Sequence, residues 1–391
     1  MSDRMLSSLS NRVCTGAGNM REGRITGNFA KIFKRKLSGC ANFNYTKPVR
    51  ILVPLVLLSV AQAQTWTLHS GGTTASLRGV SAVDAKVVWA SGTGGTYLET
   101  TDGGVTWRVS AVPGAEQLDF RGVHALDERT AYLISSGEGD KSRIYKTTDG
   151  GSHWTLQFTN PDPKGFFDAL AFWDSRHGIV LGDPVDGRFV ILTTGDGGEH
   201  WVRQRTPDAL PNEGAFAASN SCLTVMGDSE AWFASGGPEA ARVFHSSDGG
   251  RSWTVAPTPI RNDGAAAGIF SLAFADAQHG VAVGGDYNKP ADASHNIAIT
   301  SDGGRTWTEP SGPHPSGYRS AVAFLAVRGM WIATGPSGSD GSSDNGATWK
   351  PFDAGAYNAV SFTLDGIGWA VGPKGRVGEF RGSQAKAPAP R

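Results

Sequence analysis

Short apolar runs that end in glycine recur along the chain: VWASG from Val88, AYLISSG from Ala131, GIVLG from Gly178, AWFASG from Ala231, GVAVGG from Gly280, MWIATG from Met330 and GWAVG from Gly368. They are short and bounded by Gly, Asp and Pro, which predicts β-strands joined by tight turns rather than helices. Downstream of each of the first six comes a polar motif, Ser/Thr-x-Asp-x-Gly-x-x-Trp. The six copies are TTDGGVTW ending at Trp107, TTDGGSHW at Trp154, TGDGGEHW at Trp201, SSDGGRSW at Trp253, TSDGGRTW at Trp307 and SSDNGATW at Trp349. Their aspartates, Asp102, Asp149, Asp196, Asp248, Asp302 and Asp344, stand 47, 47, 52, 54 and 42 residues apart, which suits a four-stranded propeller blade. Each copy reads as a turn. Aspartate accepts hydrogen bonds from turn amides, glycine supplies positive φ, and tryptophan opens the next strand with a large ring to pack.

Seven apolar runs against six turns leave the last blade, Tyr357 to Phe380, without an outer strand. The segment QTWTLH, Gln64 to His69, matches that strand, with Trp66 in the place of the motif tryptophans. Pairing it with the last blade predicts a closed ring with no exposed sheet edge. The predicted fold is therefore all-β, a seven-bladed β-propeller over residues 64–381. Blade two shows the four strands expected of each blade: FRGVHAL, AYLISS, RIYKTT and WTLQF. The composition agrees, with 53 Gly and 12 Trp among 391 residues and no long run of strong helix formers.

The amino-terminal region changes the picture of the mature chain. Residues 47–63 combine a basic flank, an apolar run from Ile51 to Val60 and small residues at Ala61 and Ala63, the anatomy of an export signal cleaved before Gln64. The apolar run is about half as long as a ~30 Å hydrocarbon core requires, so no stable membrane span is expected. Residues 1–46 have no apolar periodicity and read as a leader outside the fold, as a start codon placed upstream would give. Residues 382–391 read as a disordered polar tail. Removing residues 1–63 takes away ten Lys/Arg and two Asp/Glu, leaving 26 basic against 34 acidic residues. That balance disfavours general capture of nucleic acid or anionic lipid. It also removes Cys14 and Cys40, so Cys222 has no intrachain partner and, falling in the inner strand of blade four, is expected to be buried and apolar in role. A monomeric product in the periplasm or outside the cell is expected.

The repeated motif resembles the Asp-box, or BNR, repeat over essentially all of residues 64–381. Among propellers of that kind the chain most resembles the photosystem II stability and assembly factor family and a related group of exported bacterial propellers bearing the name "oxidoreductase". The stretches that carry this resemblance are GDPVDGRFVILTT, GIFSLAFAD, GVAVGGDY, GYRSAVAF and ATGPSGSD. It implies an assembly or binding role with a protein partner. No glycine fingerprint opens a βαβ unit, so no nucleotide cofactor site stands behind the second name, and no cofactor is expected. Sialidases share the repeat, but the chain has no Arg-Ile-Pro motif and no matching arginine triad.

Candidate chemistry falls on the face opposite the motif turns, whose six aspartates are expected to be structural. Aligning the inner strands brings Arg78, Arg121, Phe167, Asn220, Phe270, Arg319 and Asn358 to equivalent places near the channel mouth. Guanidinium groups there would suit a carboxylate, a phosphate or an acidic peptide end. They would equally serve to pair with neighbouring acids around a water-filled channel. The loops between second and third strands carry Glu138, Asp140, Asp183, Asp186, Asp286 and Asp340, which with Glu213, Tyr287, Lys289, Tyr318 and Arg319 could ring one cleft. Paired carboxylates are what glycoside hydrolysis needs, and Asp183, Asp186, Glu213 and Asp286 are the candidate catalytic acids. Asp and Gly are also ordinary turn residues. The nine histidines include no metal-ligand spacing, and no EF-hand spacing marks the acidic loops, so no metal is expected. The leading expectation is a non-catalytic binding or assembly propeller; the alternative is an envelope glycoside hydrolase acting on a carbohydrate.

Overall fold

The computed structural model describes residues 65–381. The leader, the export signal and the polar tail expected from the sequence lie outside these residues. Seven antiparallel sheets form the ring expected from the sequence. They occupy residues 77–111, 120–159, 167–203, 223–257, 267–300, 321–353 and 359–381, the last completed by 67–70. Within the first six sheets the strands stand side by side in chain order. One rim therefore carries the turns between third and fourth strands, and the other carries the second-to-third turns and the blade-to-blade connections. Among the described residues no helix is long and apolar enough to cross a membrane.

Closure follows the predicted pairing. Thr67–Ser70 lies antiparallel to Arg376–Arg381, with Thr67 opposite Glu379 and Ser70 opposite Arg376. Trp66 is buried against Phe352, Tyr357 and Phe380, and its indole Nε1 donates to Ser339 Oγ at 3.0 Å. Blade five departs from the four-strand pattern. Its outer strand shrinks to a single bridge between Ile299 and Thr308, because Pro310, Pro313 and Pro315 follow and cannot donate to a ladder.

The apolar core is a ring of interfaces rather than a central mass. Seven buried clusters each draw on two neighbouring blades. One joins Trp89 and Tyr97 of blade one to Leu133 and Tyr145 of blade two, and another joins Trp369 and Val371 of blade seven to Leu77 and Leu98 of blade one. At ~1.5–3 kcal/mol for each fully buried large side chain, most of the favourable term lies between blades, so no blade is stable without its neighbours.

The aspartate turns seal these interfaces. In the first, Thr100 Oγ1 donates to Asp102 Oδ1 at 2.8 Å and accepts from the Gly104 amide at 2.9 Å. Asp102 also accepts from the amide and hydroxyl of Thr106 at 2.9 and 2.6 Å. The other five repeat the scheme, with His153 and His200 supplying the side-chain partner in blades two and three. The second glycine is obligatory. Gly104 has φ of 81°, and a Cβ there would stand 2.2 Å from Trp369 of the preceding blade. The preceding blade also donates into these turns, Tyr97 Oη to Gly151 O at 2.7 Å, Tyr132 Oη to Gly197 O at 2.9 Å and Trp232 Nε1 to Gly303 O at 2.9 Å.

The innermost strands would leave a bare edge toward the channel. Side chains from a neighbouring blade fill it: Ser361 Oγ accepts from the Ala82 amide, Ser81 Oγ from the Ala125 amide and Ser271 Oγ from the Val322 amide, each serine lying in the preceding blade. Asn220 both accepts from the Leu170 amide and donates to its carbonyl, and Asn358 Nδ2 donates to Leu77 O. These contacts satisfy groups that burial would otherwise penalise.

Candidate functional site

At the rim opposite the aspartate turns, the channel opens into a cavity of about 460 Å³. Its wall is set by one repeated irregularity. The inner strands of blades one, two, three and five each carry a β-bulge near their start, between Leu77 and Gly79, Phe120 and Gly122, Phe167 and Ala169, and Ile269 and Ser271. A bulge inserts one unpaired residue and re-aims its side chain. The four inserted residues, Arg78, Arg121, Asp168 and Phe270, all line the cavity. Ser320 and Asn358 occupy the corresponding places in blades six and seven.

The wall divides by chemistry. On one side stand the two arginines. Arg121 Nε donates to Asp119 at 2.8 Å, its Nη1 donates to Ala217 O at 3.3 Å, and the guanidinium lies over the Phe166 ring. Arg78 makes neither an ion pair nor a hydrogen bond among the described residues, and its Nε is buried. Burial holds the Arg78 guanidinium below its usual range, offset by the Asp119 carboxylate, with Arg121 pushing the same way as burial. On the other side is an aromatic wall. Phe216 and Phe270 stack with centroids 3.9 Å apart, and Tyr318 and Tyr287 meet Phe270 edge-on at 4.7 and 6.1 Å.

Between them lie two carboxyls. Asp183 Oδ1 accepts from the Ala215 amide at 2.9 Å, and Gly214 keeps this approach open, since a Cβ there would stand 2.8 Å from that oxygen. Burial pushes Asp183 up to about 6, the amide bond opposing. Asp168 is 1 % exposed, and neither of its oxygens has a hydrogen-bond partner of good geometry. Burial pushes its carboxyl well above the carboxylate range, the charge of Asp183 adds to this, and Arg121 opposes it. An unsatisfied buried group of this kind costs ~1–3 kcal/mol.

The remaining residues singled out in the sequence fall elsewhere. Tyr287 and Tyr318 line the cavity; Lys289 reaches back to Asp286 at 3.2 Å. Arg319 does not reach the mouth. It is fully buried, donating through Nε and Nη2 to Asp340 Oδ2 at 2.6 and 2.5 Å, through Nη1 to Tyr318 O and Ser337 Oγ, and through Nη2 to Ser316 Oγ. Phe167 lies one residue before the bulge and packs into the core between blades two and three. Asn220 faces the bore beyond the cavity. Of the four candidate catalytic acids, only Asp183 lines the cavity. Glu213 is held by Arg242 at 2.5 Å and Ser235 at 2.6 Å, Asp186 sits exposed on a hairpin turn with φ of 52°, and Asp286 caps its own loop through the Asn288 amide. Glu138 and Asp140 border a short 3-10 turn, where Asp140 pairs with Arg143 at 3.6 Å. Cys222 is buried, and burial raises its thiol. Asp168 was missed by inner-strand alignment, although a single charge inside the apolar run FFDALAF is a visible signal.

No protein-family model matches the chain, and no curated protein matches it. Solved structures do resemble it. A structure described as YCF48 bound to D1 peptide matches with a TM-score of 0.59 at 18 % identity, covering 81 % of this chain and 97 % of that one. YCF48 from Cyanidioschyzon merolae matches with a TM-score of 0.56 at 18 % identity, covering 81 % and 98 %. The WD40 β-propeller domain of Doa1 matches with a TM-score of 0.55 at 14 % identity, covering 83 % and 99 %. At these identities the likeness is one of fold: this chain is a β-propeller of the same architecture as those proteins.

Proposed function

We propose that this protein is an exported, non-catalytic binding propeller of the Asp-box kind, holding a protein partner or another anionic ligand at the mouth lined by Arg78 and Arg121. The observation that carries the reading is Arg78, a guanidinium on the cavity wall with its Nε buried and no partner of its own. A buried Nε–H without an acceptor favours a ligand that supplies one, and a guanidinium fork suits carboxylate or phosphate. The aromatic wall beside it offers apolar area of the kind that anchors peptide side chains. The likeness to YCF48 bound to D1 peptide supports a protein partner, since that propeller is described with a peptide bound. The hydrolytic alternative has less support, because three of its four carboxylates lie outside the cavity and two of those are occupied by Arg242 and Lys289.

The reading is tested with fluorescent peptides that end in Asp or Glu, titrated against the wild type and against Arg78→Ala and Arg121→Ala variants. The expected result is loss of at least about tenfold in affinity in Arg78→Ala with the melting temperature kept, and weakening of binding by salt. Equal binding by wild type and Arg78→Ala would sink the proposal. Arg319 is unsuitable for this test, since its removal would strand Asp340 in the core.

A further inference from the structure

The mouth cavity holds a second unfilled group, of opposite character to Arg78. Asp168 is buried with no ion pair and no hydrogen bond of good geometry to either carboxyl oxygen, only the Ala217 and Asp183 amides acting on it, whereas other buried charges of the ring are matched, Arg319 to Asp340 and Glu213 to Arg242. The sheet does not require an acid here. Asp168 is the inserted residue of a bulge, and the ladder closes on either side of it through Phe167 with Gly182 and Ala169 with Leu181. An acid is therefore held at a place where backbone pairing asks for nothing and where burial works against it.

We propose that the cavity takes a bifunctional organic ligand whose ammonium group sits at Asp168 and whose carboxylate sits at Arg78. The inference rests on the reading of the mouth as the binding site and specifies the ligand's second charge. Arg78 comes from blade one and Asp168 from blade three, with Arg121 of blade two between them, so the two charges of the ligand are separated along its length. The aromatic wall of Phe216, Phe270 and Tyr287 faces this pair across the cavity. An ammonium group beside aromatic faces is favoured there as well as at the carboxylate.

The groups facing Asp168 decide what binding does to its proton. Asp183 and the Cys222 thiol lie near it, and Arg121 is the nearby cation. In the unliganded ring, burial and the Asp183 charge favour the protonated Asp168 carboxyl, and Arg121 with the Ala217 and Asp183 amides opposes them. An arriving ammonium supplies both donors and a counter-charge, so the carboxyl gives its proton to solvent and becomes the carboxylate of an ion pair. No bond to carbon forms or breaks.

The probes are ω-aminocarboxylates of graded length, from β-alanine to aminooctanoate, each with the carboxylic acid and the alkylamine of matching length. They are titrated calorimetrically into the full chain in buffers of differing ionisation enthalpy. The expected result is one length that binds at least about tenfold tighter than its matching acid, with release of about one proton per ligand near neutral pH. Asp168→Asn should remove the extra affinity and the proton release while keeping the weaker binding of the acid; Asp168→Ser serves if the asparagine variant does not fold. Equal binding of amino acid and plain acid, lost in Arg78→Ala, would overturn this inference and leave the anion site standing. Binding of no carboxylate of any length would overturn both.

Discussion

The two rims of the ring use the same side chain in opposite states. In the aspartate turns each carboxylate is surrounded by donors. The His153 amide and ring hold Asp149 down at about 2, and Ser252 does the same for Asp248 against the opposing effect of burial. At the mouth, burial pushes Asp183 up to about 6, and it pushes Asp168, whose oxygens have no hydrogen bond of good geometry, well above the carboxylate range. The arginines divide in the same way, Arg319 saturated by four partners and Arg78 by none. Charge content therefore does not separate structural from functional residues in this fold. For these charged groups, pairing separates them: Asp149, Asp248 and Arg319 are closed by partners within the ring, whereas Arg78 and Asp168 line the mouth without an ion pair.

The contrast can be broken by substitution, beginning with the saturated groups. Trp66→Ala should cost ~3–5 kcal/mol in chemical denaturation, since it empties the contact that locks the closing strand. Arg319→Met should cost a similar ~3–5 kcal/mol by stranding Asp340, and the double variant with Asp340→Leu should regain most of it; no recovery in the double variant would mean that the pair is not what makes Arg319 necessary. Asp302→Ala removes the acceptor of the Thr306 amide and hydroxyl, and a loss of ~1–2 kcal/mol is expected by analogy with a helix cap. Arg78→Met, made in the unliganded protein, should change stability by no more than about 0.5 kcal/mol or raise it. A large loss there would place Arg78 with the saturated group.

The pH dependence sharpens the same comparison, with opposite signs at the two rims. Asp149, Asp248 and Asp302 are held below their ordinary value, so the stability they contribute is present above pH about 4 and is lost as pH falls toward about 2. Asp183 is raised, so the folded ring holds its proton more tightly than the unfolded chain does. Its contribution falls as pH rises from about 4 to about 6 and is constant above that. Carboxyl carbon shifts followed by NMR should show Asp183 titrating near pH 6 and Asp149 near pH 2; the effect on the overall melting temperature should be the smallest of those described. An Asp183 midpoint near 4 would remove the distinction between the rims.

Most of the ring was legible in the sequence because its turns admit few residues. Two adjacent left-handed positions, an acceptor and a packing ring leave little but Asp, Gly and Trp, and the spacing of those residues yields the blades. The closing strand was legible for the same reason, through Trp66. The site was less so. Strand pattern alone does not say which of two neighbouring residues faces the channel, so aligning strands by pattern placed Phe167 where the structure has Asp168 and put Arg319 at the mouth, a place Ser320 takes. Arg78, Arg121, Phe270 and Asn358 were found on the wall because the alignment fell on the residue that faces the channel in those strands. Loop acids carry still less information, since whether Glu213 meets a ligand or Arg242 depends on a chain segment 29 residues away.

The strand Thr67–Ser70 is synthesised first among the described residues and finds its partner last. His69 and Glu379 meet across 310 residues of chain. Until Arg376–Arg381 has been made, six sheets can stack in order while the faces of the first and sixth blades remain uncovered. Folding of this protein thus has a late closing event whose barrier is dominated by chain entropy rather than by local structure. A permuted chain that begins at Leu77 and joins Arg381 through a short linker to Thr65, keeping Trp66, would turn that long-range search into a local one.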